Sequence, residues 1–359
     1  MDGGQRIADD AGAIPAERGT PSPSRTINLA LQGGGAHGAF TWGVLDRFLE
    51  EPRLTIEGIS GTSAGAINGI MLLAGMVDGG REGARERLAT FWRRVADAAL
   101  WSPLQPSPLD RAMGNFNLDH SPAYQAFDLM TRLFSPYQLN PLGVNPLKDI
   151  IVELVDFERV HAASSIKLFV NTTNVRTGKI RVFPNAELSV DALLASACLP
   201  SLHRAVEIDG EHYWDGGFMG NPAMFPLLYN CKASDIVLIE INPIAIDHVP
   251  ESAREIIDRV NTISFNATMM REMRTIAFVT RLLDQHRLTG RSHLRRINFH
   301  MVEANAELAR YGVSSKLSPD WAFLQALFAL GRAKASAWLD DNYAKVGVDS
   351  SIDLQRLFF

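Results

Sequence analysis

Leu54-Thr55-Ile56-Glu57-Gly58-Ile59-Ser60-Gly61-Thr62-Ser63-Ala64-Gly65-Ala66-Ile67-Asn68-Gly69-Ile70 reads as an apolar strand that turns through small residues into a helix. The strand is expected over Leu54–Ile59, and the helix, apolar almost all round, over Ala66–Val77. Working back from it, Ile27-Asn28-Leu29-Ala30-Leu31 is a second short apolar strand. It runs into Gly33-Gly34-Gly35-Ala36-His37-Gly38, after which Phe40, Val44, Leu45 and Phe48 recur at helical spacing up to a stop at Pro52. Strand, helix, strand, helix implies a parallel sheet with crossover helices, and hence the α/β class.

Two of these turns carry chemistry. Gly61-x-Ser63-x-Gly65, placed between strand and helix, has the form of a nucleophile elbow: small residues permit a tight turn that pushes the Ser63 hydroxyl outward, above a helix N-terminus. The run Gly33–Gly38 also fits GxGxxG after a strand, which would bind a dinucleotide if an acidic residue closed the second strand. Here Glu57 lies inside that strand, and the nucleophile turn stands at its end. The other reading is an oxyanion hole, with backbone N–H groups, Gly34 and Gly35 foremost, aimed at a developing alkoxide. A third block, Tyr213-Trp214-Asp215-Gly216-Gly217, follows a hairpin expected over Ala205–Tyr213; alone, Asp215 would be an ordinary turn former.

Taken in order, Gly33-Gly34-Gly35-x-x-Gly38, Gly61-x-Ser63-x-Gly65 and Asp215-Gly216-Gly217 resemble the three blocks of the patatin-like phospholipases. Asn145-Pro146-Leu147, Ala195–Pro200 and Val206–Gly210 are similar to that family as well, so that the resemblance spans about residues 26–242. It implies a three-layer α/β/α domain with a mostly parallel sheet and helical insertions, and a Ser63–Asp215 dyad without histidine. It also implies an oxyanion hole at Gly33, Gly34 and Gly35, with Gly38, Gly61, Gly65, Gly216 and Gly217 supporting the motifs. The implied activity is hydrolysis of lipid carboxylic esters with no metal or organic cofactor; acyl transfer or non-catalytic lipid binding are the alternatives. One departure is His37, where the family usually has Arg or Lys.

The rest of the chain is read as decoration on that domain. Residues 1–25 have the composition of a tail. Trp101–Pro146 holds seven of the 18 prolines and reads as an insertion with one helix, about Ala123–Phe134, whose apolar face is Phe127, Met130 and Phe134. Further strands are expected at Ile166–Thr172, Lys179–Phe183, Asp235–Ile241 and Ile297–Val302, and helices at Leu147–Val155, Val190–Ala197, Ser252–Leu288 and Asp320–Tyr343. Residues 243–359 are thus a mainly helical part packed on the same domain as the 26–242 core.

Composition narrows the partners. With 46% hydrophobic residues and a net charge of −5 the chain is a folded protein whose basic residues are scattered, which argues against nucleic acid. Two cysteines, Cys198 and Cys231, show no metal-ligand spacing, and no apolar run reaches membrane-spanning length. A cytoplasmic location is expected, with contact to membranes confined to the periphery. Among the nine histidines, His248, His286, His293 and His300 follow Asp215 in the order of a conventional triad, yet none stands in a recognisable catalytic turn.

Overall fold

A computed structural model describes residues 24–100, 102–163, 165–285 and 294–358. The expected tail lies outside them except for Ser24 and Arg25, and Arg25 already opens the first strand, β1 (Arg25–Leu31). The other strands are β2 (Leu54–Gly61), β3 (Lys167–Asn174), β4 (Ile180–Pro184), β5 (Val206–Ile208), β6 (Glu211–Asp215), β7 (Asp235–Ile239) and β8 (Asn298–Val302). They form one sheet in the order β5-β6-β3-β2-β1-β7-β8, with β4 also on β3. The run β3-β2-β1-β7-β8 is parallel, and β4, β5 and β6 add an antiparallel edge.

Alternation along the central strands builds a core on each face. Ile27, Leu29 and Leu31 of β1, with Val237 and Ile239 of β7, join one core; Ala30, Ile236 and Leu238 point into the other. The first core is roofed by α1 (Gly38–Glu50), α2 (Ala64–Ala98) and the helix Trp321–Asn342. The second is roofed by the helix Ala253–Asp284, through a stripe at Met269, Met273, Ile276 and Ala277, and by Phe225–Asn230. Helices on both faces of a mostly parallel sheet make the expected three-layer α/β/α architecture.

Gly43 of α1 and Gly331 of Trp321–Asn342 let those two helices meet backbone to backbone. A Cβ on Gly43 would lie 2.1 Å from the Phe328 carbonyl oxygen, and one on Gly331 would lie 2.1 Å from that of Phe40. Trp42 stacks on Phe328 beside this crossing, at 4.1 Å between ring centres.

Two expectations need correction. α2 does not stop at Val77: after a break at Gly79 and Gly80 (φ +62°), it resumes through the charged run as far as Ala98, burying Leu88, Phe91 and Trp92. The insertion carries three short helices, Pro108–Ala112, Pro122–Leu133 and Pro136–Leu139. Three of its prolines, Pro108, Pro122 and Pro136, sit at first helical positions behind Ser107, Ser121 and Ser135, where the missing N–H costs nothing. The serine hydroxyls cap two of the three starts outright, accepting from the N–H groups of Asp110 and Tyr124. Leu129 and Leu133, 56% and 65% exposed, leave the middle helix with an uncovered apolar side.

Candidate active site

The carboxyl ends of β1 and β2 and the end of β6 converge on one point. At the end of β2, Ser63 takes φ +52°, the left-handed region that a side chain enters only at a cost of about 1–3 kcal/mol. The turn is held in that shape from several sides. The Ser63 N–H donates to Ser196 Oγ (2.9 Å), whose own hydroxyl donates to the Asn171 carbonyl (2.7 Å). Asn171 Nδ2 donates to the Gly61 carbonyl (3.1 Å), and Thr62 Oγ1 to the Gly220 carbonyl (2.6 Å). Gly65 is required because a Cβ there would fall 2.2 Å from the Leu31 carbonyl oxygen. Ser63 stands at the amino end of α2, where the helix dipole favours negative charge.

Asp215 closes β6, which is paired to β3 through Thr172 and Asp215. Its side chain is 1% exposed. It accepts from the Gly217 N–H (2.7 Å) and from the Ser63 hydroxyl, yet burial outweighs both and pushes its pKa up to about 7. Gly216 and Gly217 make room for this seat: a Cβ on Gly216 would meet the Asn171 carbonyl oxygen at 2.1 Å, and one on Gly217 the Phe265 ring at 2.3 Å.

The glycine run lies against the elbow, since a Cβ on Gly33 would be 2.8 Å from Ser63 Cβ and one on Gly38 would be 2.7 Å from Ala64 Cβ. Its three leading N–H groups are not equivalent. That of Gly33 donates to the buried Asn221 Oδ1 at 2.7 Å, which removes it from the expected set of oxyanion donors. Those of Gly34 and Gly35 find no acceptor among the described residues. Gly35 takes φ +57°, and a Cβ there would strike the Lys316 carbonyl oxygen at 2.3 Å.

His37 is 2% exposed, between the rings of Tyr311 and Phe323, with Nε2 2.8 Å from Ser315 Oγ. Burial, and then the charge of Lys316, lower its pKa to about 3, so the imidazole is neutral. Two of the histidines that follow Asp215 in the chain, His248 and His300, do not join the dyad. His300 pairs with Asp235 (3.0 Å) at the opposite end of β7, His248 is exposed, and His286 and His293 lie outside the described residues. Among the described residues no three His, Cys, Asp or Glu side chains gather as a metal would need. Cys198 and Cys231 are free and buried.

Several residues at this point escaped sequence reasoning. Gln32 Oε1 accepts from the N–H groups of Ile241 (2.9 Å) and Asn242 (3.0 Å). Asn242 Nδ2 donates to the Gly33 carbonyl (2.6 Å), and Asn266 Nδ2 to the Asn242 carbonyl (3.2 Å). The readable signal was an amide placed directly behind an apolar strand, as in Leu31-Gln32 and Ile241-Asn242, where a strand end facing solvent would tolerate any polar residue.

A model of the Patatin-like phospholipase family matches residues 29–228. Among solved structures, the chain is similar to VipD from Legionella pneumophila, at TM-score 0.42 and 16% identity, covering 89% of this chain and 67% of that one. It is also similar to a chain of the heterodimeric ExoU–SpcU complex from the type III secretion system of Pseudomonas aeruginosa, at TM-score 0.32 and 15% identity. That match covers 88% of this chain and 53% of the other, so this chain spans about half the length of that relative. No curated protein matches.

Proposed function

The chain belongs to the patatin-like phospholipase family, and from that premise we propose that it hydrolyses lipid carboxylic esters through Ser63 and Asp215, with the N–H groups of Gly34 and Gly35 as the oxyanion hole. The observation that carries this reading is the buried Asp215 carboxylate accepting the hydroxyl of a strained Ser63. As Ser63 Oγ bonds to the ester carbonyl carbon, its proton passes to Asp215. The carbonyl oxygen takes the negative charge and meets donors already in place, at the amino ends of the helices that follow. Collapse breaks the ester bond, and the departing alcohol takes the proton from Asp215. Water then gives a proton to the same carboxylate and attacks the acyl-enzyme, releasing the fatty acid and restoring the Ser63 hydroxyl.

A carboxylate with a pKa near 7 suits this work. Near neutral pH a good share of it is ionised, and it is basic enough to hold a proton from serine, which an ordinary aspartate near 3.8 is not. A lipid surface supplies the substrate: Leu129 and Leu133 of the insertion, and Ile257, Val260 and Ile263 of the helix Ala253–Asp284, leave apolar side chains exposed. The two elements are joined by the ion pair Arg254–Asp119 (2.8 Å). No helix among the described residues is long and apolar enough to cross a membrane, so these side chains support contact from one side only.

The test is turnover of a chromogenic acyl ester and of phospholipid vesicles by parent protein, Ser63→Ala and Asp215→Asn. Both variants should fall to background, and a fluorophosphonate should label the parent at Ser63 alone. Retained turnover in Ser63→Ala would remove the assignment.

A further inference from the structure

Lys316 is a cation whose hydrogen-bond partner is an amide. Among the described residues no carboxylate lies within ion-pairing distance of its ammonium, which donates instead to Asn242 Oδ1 at 2.6 Å. Lys316 is half-buried by surface, but its ammonium is desolvated enough to push its pKa down to about 8, with Asp258 acting weakly the other way. Leaving a lysine partly desolvated against a neutral amide costs free energy, and the cost is incurred beside the glycine run, where the Lys316 carbonyl abuts Gly35. Its neighbour Ser315 holds His37 on the same run.

The chemistry of the contact sets a direction. An ammonium has donors only, so it can meet Asn242 through the amide oxygen alone, and the amide nitrogen must then face away from it. That nitrogen donates to the Gly33 carbonyl at 2.6 Å and to Gln32 Oε1 at 3.2 Å, so the amide is held from its nitrogen side by two acceptors and from its oxygen side by Lys316. Because the Gly33–Gly34 peptide is planar and trans, fixing its C=O toward Asn242 turns the Gly34 N–H the opposite way. The Gly33 N–H, one peptide earlier, is pinned by Asn221. With both flanks fixed, the run has one orientation.

We propose that Lys316 is a positioning residue for the oxyanion hole: by anchoring the oxygen of the Asn242 amide while Gln32 Oε1 holds its nitrogen, it aims the Gly34 N–H at the carbonyl oxygen of the ester attacked by Ser63. The proposal rests on the reading of Ser63 and Asp215 given above. His37 plays the steric part on the same run and carries no charge, so the only cation against the run among the described residues is Lys316.

Lys316→Met, Lys316→Gln and Lys316→Arg separate orientation from packing. Methionine keeps the stem and removes the donor, glutamine can offer the Asn242 oxygen a weaker, neutral donor, and arginine keeps donors only. On a short, uncharged ester, Lys316→Met should lose kcat about 10-fold with KM within about twofold, a smaller loss than deleting an oxyanion donor itself. Lys316→Gln should fall between Met and parent, and Lys316→Arg should stay within about threefold of parent. The pH profile adds a signature. The groups facing Lys316 are Asp258, itself beside Asp119, Asp128 and Arg254, and the neutral His37. Parent activity should therefore decline as pH rises through about 8, where the ammonium is lost, and that decline should be absent in Lys316→Arg. Equal kcat in parent and Lys316→Met, a change confined to KM, or equal damage by Met and Arg would each overturn the proposal. Labelling of the parent at Ser63 by a fluorophosphonate keeps the two readings apart: an unlabelled parent refutes the dyad, whereas equal labelling rates in parent and Lys316→Met refute the role of Lys316.

Discussion

Asp215→Asn should make the protein more stable while abolishing its activity. The carboxyl is 1% exposed and its pKa is moved from 3.8 to about 7 by burial, so the ionised form is the strained one. The native state therefore binds the proton more tightly than the unfolded chain, and between about pH 4 and pH 7 stability falls as pH rises. Above pH 7 the accumulated cost is about 4 kcal/mol, at 1.36 kcal/mol for each pH unit between the two pKa values. Asparagine has nearly the same shape, can still accept from the Gly217 N–H, and carries no charge to desolvate. The expected gain is close to nothing at pH 4 and about 4 kcal/mol at pH 8.5, or about 5 °C in Tm for a chain of this length. Thermal unfolding of parent and variant followed across pH 4–9 is the assay. A variant that is less stable than the parent at pH 8.5, or a difference that does not change with pH, would show that Asp215 is not strained by burial. The case for it as a base tuned to neutrality would fall with it.

Other outcomes follow from the same geometry. His37→Gln should keep most of the activity, because an amide can still reach Ser315 Oγ. His37→Arg should cost about 3 kcal/mol or more by forcing an unpaired cation into a buried site next to Lys316; ester turnover checks the first variant and urea unfolding the second. Replacing Leu129 and Leu133 with glutamine should lower turnover of phospholipid vesicles several-fold and leave a soluble short-chain ester untouched. Equal loss on both substrates would reveal destabilisation rather than lost contact with a lipid surface.

The motif blocks were legible because they are written in glycine. Gly65, Gly216 and Gly35 stand where another backbone passes at a distance that admits no Cβ, and such positions leave a mark in sequence whatever surrounds them. The elbow was legible for a second reason, that a strand and a helix flank it. The support of the oxyanion run was not. Asn221, Asn242 and Lys316 act through hydrogen bonds to positions far away in the chain, and an amide or a lysine has no spacing that announces such a bond. Gly33 was assigned as a donor with its two neighbours because nothing local distinguishes its N–H; Asn221 does so from almost 200 residues away. In the insertion, the prolines marked an excursion with one helix, whereas Pro108, Pro122 and Pro136 each start a helix, a meaning fixed by the serine before it.

The crossing of Gly43 and Gly331 also bears on how the molecule comes into being. A ribosome delivers the glycine run and the elbow about 290 and 260 residues before the helix that presses α1 into place, and Asn242 and Lys316, which contact the run and its neighbours, arrive in between. A nascent chain that stops short of Asn242 holds Ser63 and Asp215 but lacks the residues that contact the glycine run from the far end of the chain. The glycine run is thereby set in its final shape only after the residues of the nucleophile turn and of β6 have long been made.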